Sequence, residues 1–190
     1  MLKNAFYIFL VLFLVSCGKD PLPKPTGELR LEYPKAAYQQ WNSDCNYSFE
    51  YSKFANLVAA GNKPCWFYLT YPKMKAKVIL TYFPINNDFR AQVTEAEKMV
   101  YKHTIRASSI DAKFFEYPEK KVYGMFYELK GQTASNIQFF VTDSTRHFVT
   151  GNLNYNSRPM PDSLAPSIDY VKKDLMHMID TFQWKNGKNK

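Results

Sequence analysis

Apolar and polar residues alternate along much of this chain, which is the pattern of β-strands with one buried face. The clearest example runs from Lys73 to Tyr82, where apolar residues occupy every second position and lysines stand between them. Between the second and third alternating segments, residues 52–64 lack the pattern, and we predict a loop there. The predicted strands are Leu29–Tyr33 (a short edge strand, because Pro34 ends it), Tyr47–Tyr51, Trp66–Tyr71, Lys73–Tyr82, Lys121–Leu129, Asn136–Thr142 and Arg146–Tyr155.

Two other segments repeat apolar residues at steps of three or four, which is the period of a helix. The first begins after Asp88, a residue type suited to the N-cap, and we predict that it runs to about Arg106. Its stripe ends in His103, which we interpret as a boundary residue rather than a ligand. The second predicted helix spans Asp162 to Phe182. Its predicted buried stripe is Ile168, Val171, Leu175, Ile179 and Phe182.

The order of these elements predicts the fold class. Residues Asp143, Ser144 and Thr145 connect two alternating runs, which predicts a β-hairpin. Strands joined by short turns favour an antiparallel sheet, so we expect an α+β domain: a mainly antiparallel sheet of about five to seven strands with two amphipathic helices packed on it. Gly124 and Gly151, inside predicted strands, suggest bulges or the close approach of a helix. The element order is similar to that of the Mog1/PsbP-like α+β sandwich.

Composition narrows the class of protein. The chain has 190 residues, of which 46% are hydrophobic and 22% charged, as in globular proteins and unlike disordered or fibrous ones. No apolar run reaches the roughly 20 residues of a membrane-spanning helix, which excludes a polytopic membrane protein. The formal charge of +8 would suit nucleic acid. The lysines are scattered, however, and we expect an exported protein, so membrane headgroups or acidic protein surfaces are the favoured partners and nucleic acid is not.

The first residues have the pattern of an export signal. Lys3 is followed by an uninterrupted apolar run over residues 5–15, which has the length of a signal-peptide core. The run ends in Leu14-Val15-Ser16-Cys17, which matches the lipobox of bacterial lipoproteins. We therefore predict a lipoprotein signal peptide over residues 1–16, lipidation of Cys17, a proline-rich tether over residues 17–27 and a single α+β domain over residues 28–190.

Two cysteines remain after Cys17 is assigned. In an oxidising compartment an even pair suggests a disulfide, so Cys45 and Cys65 are a possible bridge. Each cysteine directly precedes a predicted strand. If those two strands formed a tight antiparallel hairpin, the cysteines would lie near its opposite ends and could not meet. A bridge therefore requires a different strand pairing; otherwise the thiols stay free.

A lysine row is the first candidate surface. Lys73, Lys75 and Lys77 share one face of their predicted strand, and this row is a possible contact surface for anionic lipid or an acidic partner. The same pattern is also typical of a solvated face that discourages edge pairing.

Candidate chemistry is sparse. The chain has no sequence motif of a serine hydrolase, zinc protease or nucleotide-binding protein, and His103, His147 and His177 have no metal-ligand spacing. Asp143, Ser144 and His147 are close in sequence, but aspartate and serine form turns for local reasons. We therefore predict no catalytic residues, no metal and no cofactor. Asp162-Ser163-Leu164 matches a short O-glycosylation pattern, which makes Ser163 a possible acceptor; a helix cap is the alternative.

Several segments resemble one known family, the gliding motility lipoprotein GldD of Bacteroidetes. They are Leu29–Pro34, Trp66–Ala76, Lys121–Tyr127 and Phe140–Phe148, together with Asp44-Cys45 and Cys65-Trp66. The resemblance implies a role in gliding motility and in the associated type IX secretion apparatus, with those components as protein partners. It carries over no catalytic residues, and only Cys17 transfers, as the acylation site.

The residues after Cys17 bear on location. Gly18-Lys19-Asp20-Pro21 has only part of the lysine and acidic run that is typical of surface-exported lipoproteins of these bacteria. We therefore expect a lipid-anchored, non-enzymatic accessory protein that faces the periplasm, at the outer membrane rather than the inner one. The alternative hypothesis is a lipoprotein that binds a lipid, glycan or peptide on its aromatic sheet, where Tyr123, Phe126, Tyr127 and Phe139 would line the site.

Overall fold

A computed structural model describes residues 32–156 and 161–185 of the chain. Within them lie ten strands, two α-helices and two short 3-10 turns. The strands are β1 (Tyr38–Trp41), β2 (Tyr47–Ser52), β3 (Asn56–Ala59), β4 (Phe67–Tyr71), β5 (Ala76–Pro84), β6 (Ala107–Tyr117), β7 (Val122–Gly131), β8 (Ser135–Thr142), β9 (His147–Tyr155) and β10 (Gln183–Trp184). The helices are α1 (Phe89–Tyr101) and α2 (Pro161–Asp180).

Both sheets are antiparallel throughout. The larger has seven strands in the order β3-β4-β5-β9-β8-β7-β6, and the smaller has three in the order β1-β2-β10. The predicted α+β class, with a mainly antiparallel sheet and two helices, is confirmed. The seven strands of the large sheet reach the upper end of the expected range.

Side chains of the central strands point alternately to two faces of the large sheet. Phe139 and Val141 belong to the main core, whereas Phe140 belongs to a second, smaller cluster on the other side. The main core also contains the buried stripe of α2 and residues of β2, so we call this side the covered face. The other side carries α1, of which only Val100 is buried among the described residues, and we call it the open face.

The predicted hairpin and the main strands are confirmed, although four strands were missed. Two of them, β1 and β10, belong to the small sheet, and the other two belong to the large sheet. Residues 56–59, which fall within the predicted loop, form β3, and residues 107–117, for which no element was predicted, form β6. Both lie at the edges of the large sheet, so their side chains are mostly exposed and carry little apolar alternation. Of the predicted strand Leu29–Tyr33, Glu32 and Tyr33 are outside any strand and the rest lies outside the described residues.

The predicted start of a strand at Lys73 is wrong. Pro72–Met74 form a 3-10 turn, Lys75 has a left-handed backbone with φ 52°, and β5 begins only at Ala76. A matching turn joins β6 to β7 at Pro118–Lys120, where Lys121 again has φ 52°. In both turns proline provides the fixed φ that starts the chain reversal. From Lys73 to Val78, exposed and buried residues still alternate, so the pattern alone resembled a strand.

The first helix is shorter than predicted, because it ends at Tyr101 and residues 102–106 form turns. Asp88 is the N-cap residue, but its carboxylate accepts bonds from the Asn86 amide and the Gln92 side chain instead of capping a helix amide. The second helix ends at Asp180, before the predicted end at Phe182. Of its predicted stripe, Ile168 is half-buried, and Val171, Leu175, Ile179 and the following Phe182 are buried.

The two strand glycines are explained by neighbouring phenylalanines and not by bulges or a helix. A Cβ on Gly124 would lie 2.0 Å from the Phe140 carbonyl oxygen and 2.5 Å from the Phe115 ring. A Cβ on Gly151 would lie 2.1 Å from the Phe139 ring, which covers that position from the adjacent strand. Each glycine therefore leaves room for an aromatic ring of its neighbouring strand.

Candidate functional site

The two domain cysteines meet at the junction of the two sheets. Cys45 precedes β2 and Cys65 precedes β4, and their sulfur atoms lie 2.15 Å apart with a Cα–Cα distance of 5.7 Å, in a disulfide. The hairpin that would have kept them apart does not form: β2 pairs with β1 and β10, while β4 pairs with β3 and β5. Cys17 lies outside the described residues.

The three lysines of the predicted contact row do not share one strand. Lys73 and Lys75 lie in the turn before β5, and only Lys77 belongs to the strand itself. All three side chains are exposed, and the Lys77 ammonium lies 4.7 Å from the centre of the Tyr68 ring. The row is therefore a turn-and-strand patch rather than a straight stripe, and its role as a contact surface stays a prediction.

Ser163 lies in the first turn of α2 and is only 6% exposed. O-glycosylation requires an accessible hydroxyl, so this placement argues against Ser163 as an acceptor in the folded domain. The neighbouring Asp162, in contrast, is exposed.

Three of the four aromatic residues proposed to line a ligand site are buried in the protein. Phe126 and Phe139 belong to the main core and stack with ring centroids 6.2 Å apart, and Tyr127 is buried beneath the open face. Only Tyr123 is half-exposed. These rings support the sheet rather than a cavity, which weakens the motivation for the ligand-binding hypothesis.

The Asp143–His147 segment forms a hairpin turn, not a hydrolytic triad. Asp143 Oδ1 accepts hydrogen bonds from the backbone amides of residues 145, 146 and 147, at 3.0, 2.7 and 2.8 Å. Burial would raise the pKa of Asp143, but these bonds outweigh burial and lower it. The imidazole of His147 instead contacts the Tyr82 hydroxyl through Nδ1 at 2.8 Å and stacks on Trp184. Burial lowers the pKa of His147.

The other two histidines have neighbours different from those of His147. His177, on α2, contacts Glu50 at 2.7 Å through Nε2 and stacks on the Tyr38 ring at 3.6 Å. His103 lies in the turns after α1, beside a cavity of about 570 Å³ that Lys102 and Arg106 also line. Across residues 32–156 and 161–185, no group of three or more His, Cys, Asp or Glu side chains has the arrangement of a metal site.

Sequence reasoning missed a buried acidic residue. Asp174 of α2 is 2% exposed and faces Ser52, Tyr71 and Tyr38 from the elements packed against the helix. Burial raises its pKa and outweighs the nearby hydroxyl groups, which lower it; Oδ2 has no partner at hydrogen-bond distance among the described residues. The same surroundings raise the pKa of Tyr38 to about 12, through burial first and then the Asp174 carboxylate.

A sequence signal for this cluster exists. Ser167, Asp174 and Thr181 recur every seven residues, which places them on one side of α2 beside its apolar stripe. Ser167 bonds the Tyr155 hydroxyl at 2.9 Å, and the Thr181 hydroxyl accepts the Glu50 amide at 3.0 Å. This polar line fixes the position of α2 against β2 and β9. It is a structural feature, and it offers no exposed group for chemistry.

An apolar groove lies on the open face between α1 and the sheet. It has a volume of about 330 Å³, and Trp66, Phe83, Met99 and Phe148 provide its apolar lining. Met99 is 44% exposed and Phe83 38% exposed, so large apolar side chains reach solvent here. The Trp66 indole donates to the Tyr82 carbonyl at 2.9 Å, which fixes the ring at the wall of the groove.

Comparison with known proteins shows the family to which this chain belongs. The sequence model of the family described as gliding motility lipoprotein GldD matches residues 18–184. No curated protein sequence matches the chain. Neither helix in the described part of the chain combines the length and apolar character needed to cross a membrane. The family match covers most of the chain and confirms the resemblance seen in the sequence, so this chain belongs to the gliding motility lipoprotein GldD family.

Proposed function

We propose that this protein is anchored by lipid at Cys17, faces the periplasm, and supports gliding motility and the associated type IX secretion machinery through protein contacts. The observation that carries the proposal is the family match over residues 18–184, which begins directly after the lipobox cysteine. The partners are components of the gliding and secretion apparatus, and the anchor belongs to the outer membrane.

The anchoring part of the proposal is supported by the order of segments at the start of the chain. An apolar run of signal-peptide length ends at a small residue and a cysteine, and a proline-rich tether follows. Each buried methylene of an attached acyl chain contributes about 0.8 kcal/mol to membrane binding, and two or more chains hold a protein stably. A disulfide between Cys45 and Cys65 fits an oxidising compartment.

Exposed apolar side chains on the open face support the contact part of the proposal. Phe83 and Met99 border the groove beside α1, and Tyr101 is 53% exposed at the end of that helix. Neighbouring exposed apolar groups of this kind mark sites of association more often than isolated ones do.

The proposal is tested by releasing the domain from the membrane. Residues 1–17 are replaced with a cleavable signal peptide that leaves the chain free after export, and the control strain carries the natural lipobox. We expect the released protein to accumulate in the soluble periplasmic fraction, while colony spreading and secretion of type IX substrates are lost.

Wild-type spreading and secretion by the strain with the released domain would contradict the anchoring part of the proposal. Labelling of the natural protein with a radioactive fatty acid, absent in Cys17→Ala, checks the acylation site independently of motility. Fractionation of the two membranes then assigns the anchor to the outer or the inner one.

A further inference from the structure

The β6 strand leaves one long edge of the large sheet without a neighbouring strand among residues 32–156 and 161–185. It has eleven residues and pairs only with β7. The opposite edge, β3, has four. A long edge presents a row of backbone donors and acceptors to any further strand, and natural proteins usually shorten or block such edges.

The exposed side chains of β6 include both apolar and charged groups. Phe115 points into the main core, but its neighbour Phe114 is 58% exposed on the other side of the sheet. Ile110, on the same side as Phe114, is half-buried. Asp111 bonds Lys130 of β7 at 2.9 Å, whereas Lys113 makes no ion pair with any described residue. The strand therefore offers two apolar residues, Ile110 and Phe114, and two opposite charges, Asp111 and Lys113, to a second strand at its free edge.

We propose that β6 pairs antiparallel with β6 of a second copy of this chain, about a two-fold axis that lies midway between the two Ala112 residues. Ala112 is the middle residue of the strand, so the stretch Ser109–Phe115 pairs with its own copy in this register, short of the irregularity in the ladder between Ala107 and Ser109. Asp111 then lies opposite Lys113 of the second copy, and Ile110 lies opposite Phe114 of the second copy. Each of these pairs occurs twice because of the symmetry, and opposite charges and apolar groups across strands stabilise such pairing.

The neighbouring symmetric registers are unfavourable. In an antiparallel pair, directly opposite residues point to the same face of the sheet, so the two-fold axis must lie midway between two copies of the same residue. A change of register therefore moves the axis to a neighbouring residue, which becomes the new centre. A centre on Asp111 places two aspartates opposite each other, and a centre on Lys113 places two lysines opposite each other. With the centre on Ala112, Ser109 faces Phe115, Ile110 faces Phe114 and Asp111 faces Lys113, so no like charges meet.

The test is disulfide trapping of the full-length protein in its own membrane. Ala112→Cys brings two thiols directly opposite each other, at a Cα separation that a disulfide accepts. We expect a covalent dimer on a non-reducing gel that disappears on reduction. The matched control is Ala59→Cys, an exposed alanine on the β3 edge, which should remain monomeric. A persistent Cys45–Cys65 bond and normal abundance show that both variants fold.

Further variants test the register. Ile110→Cys and Phe114→Cys should form dimers only when both are present in one chain, because these two positions lie opposite each other in the regular part of the strand. In the Ala112→Cys background, Lys113→Asp should lower the dimer yield several-fold, and adding Asp111→Lys should restore it. No dimer from Ala112→Cys would overturn the proposal, as would a covalent adduct with a different protein. A dimer from Phe114→Cys but not from Ala112→Cys would overturn the register. None of these readouts depends on motility, so they are independent of the proposed function.

Discussion

The two faces of the large sheet are built differently, although they share the same strands. On the covered face, α2 and the small sheet surround a core that includes Val171, Leu175, Ile179 and Phe182, all buried. On the open face, α1 contributes only Val100 as a buried residue among those described, and a groove remains beside it. The covered face therefore supplies most of the apolar burial that stabilises the fold.

Under the proposed function, this difference separates the residues that stabilise the fold from those that contact partners. The covered face buries its central apolar side chains, whereas the open face exposes Phe83 and Met99 beside a groove. We expect substitutions on the covered face to unfold the protein, and substitutions on the open face to leave it folded and to alter its contacts. The following experiments test that division.

The largest effect is expected from core truncation. Leu175→Ala on the covered face removes a fully buried side chain and should lower the free energy of unfolding by about 4 kcal/mol, because it leaves a cavity. Val93→Ala, a half-buried position of α1, should lower it by only about 1 kcal/mol. Urea unfolding followed by tyrosine and tryptophan fluorescence measures both. Equal losses would show that the open face carries as much of the stability.

The disulfide is expected to have the next largest effect. Cys45 belongs to the core of the covered face, and the bridge to Cys65 closes a loop with a sequence separation of 20. Its removal in a Cys45→Ala, Cys65→Ala variant should cost about 3 kcal/mol, through the larger entropy of the unfolded chain. Reductant should destabilise the wild type similarly and leave the variant unchanged. A variant that unfolds at the wild-type urea concentration would contradict a stabilising bridge.

The buried carboxyl group of the covered face should make stability depend on pH. Burial raises the pKa of Asp174, so the folded state holds this proton more tightly than the unfolded state does. Stability from this group is therefore greatest below the ordinary aspartate pKa of about 4 and falls as pH rises through the folded pKa. Asp174→Asn should be more stable than wild type at pH 7, and its advantage should disappear in acid.

Thermal unfolding at several pH values measures that difference. Asp169→Asn, on the exposed side of the same helix, is the matched control. A lower melting temperature for Asp174→Asn at pH 7 would mean that the charged carboxylate is itself stabilising, through the hydroxyl groups of Ser52, Tyr71 and Tyr38.

The fold was predictable where burial leaves a periodic pattern. The α2 stripe has that pattern because its buried positions are apolar, whereas β8 of the central hairpin is buried at every position, and the hairpin was predictable from two strand-forming runs with a three-residue connection. Edge strands lack it: β6 exposes Asp111 and Lys113 on one side and Glu116 on the other, so its sequence resembles a loop. The turn at Pro72–Met74 caused the opposite error, in which a strand was predicted where there is a turn. Exposure alternates from Lys73 onward with the period of a strand.

The candidate sites divide in a similar way. The Cys45–Cys65 pairing followed from composition and compartment, but its feasibility depended on β2 and β4 lying apart in the strand order, which no local pattern encodes. Asp174 was missed because a single charged residue beside an apolar stripe is common on amphipathic helices. Only the seven-residue repeat with Ser167 and Thr181 distinguishes it, and the residues that bury it come from distant segments.

The most direct test of the division between the two faces is colony spreading, together with type IX secretion, by cells whose only copy carries Met99→Lys. This change places a charge at the groove of the open face, and Thr94→Lys, exposed on the same helix but outside the groove lining, is the control. Both proteins should unfold within about 0.5 kcal/mol of wild type, as surface substitutions usually do. We expect normal abundance of both, with spreading and secretion impaired only by Met99→Lys. Wild-type spreading and secretion with Met99→Lys would contradict the assignment of partner contacts to the open face.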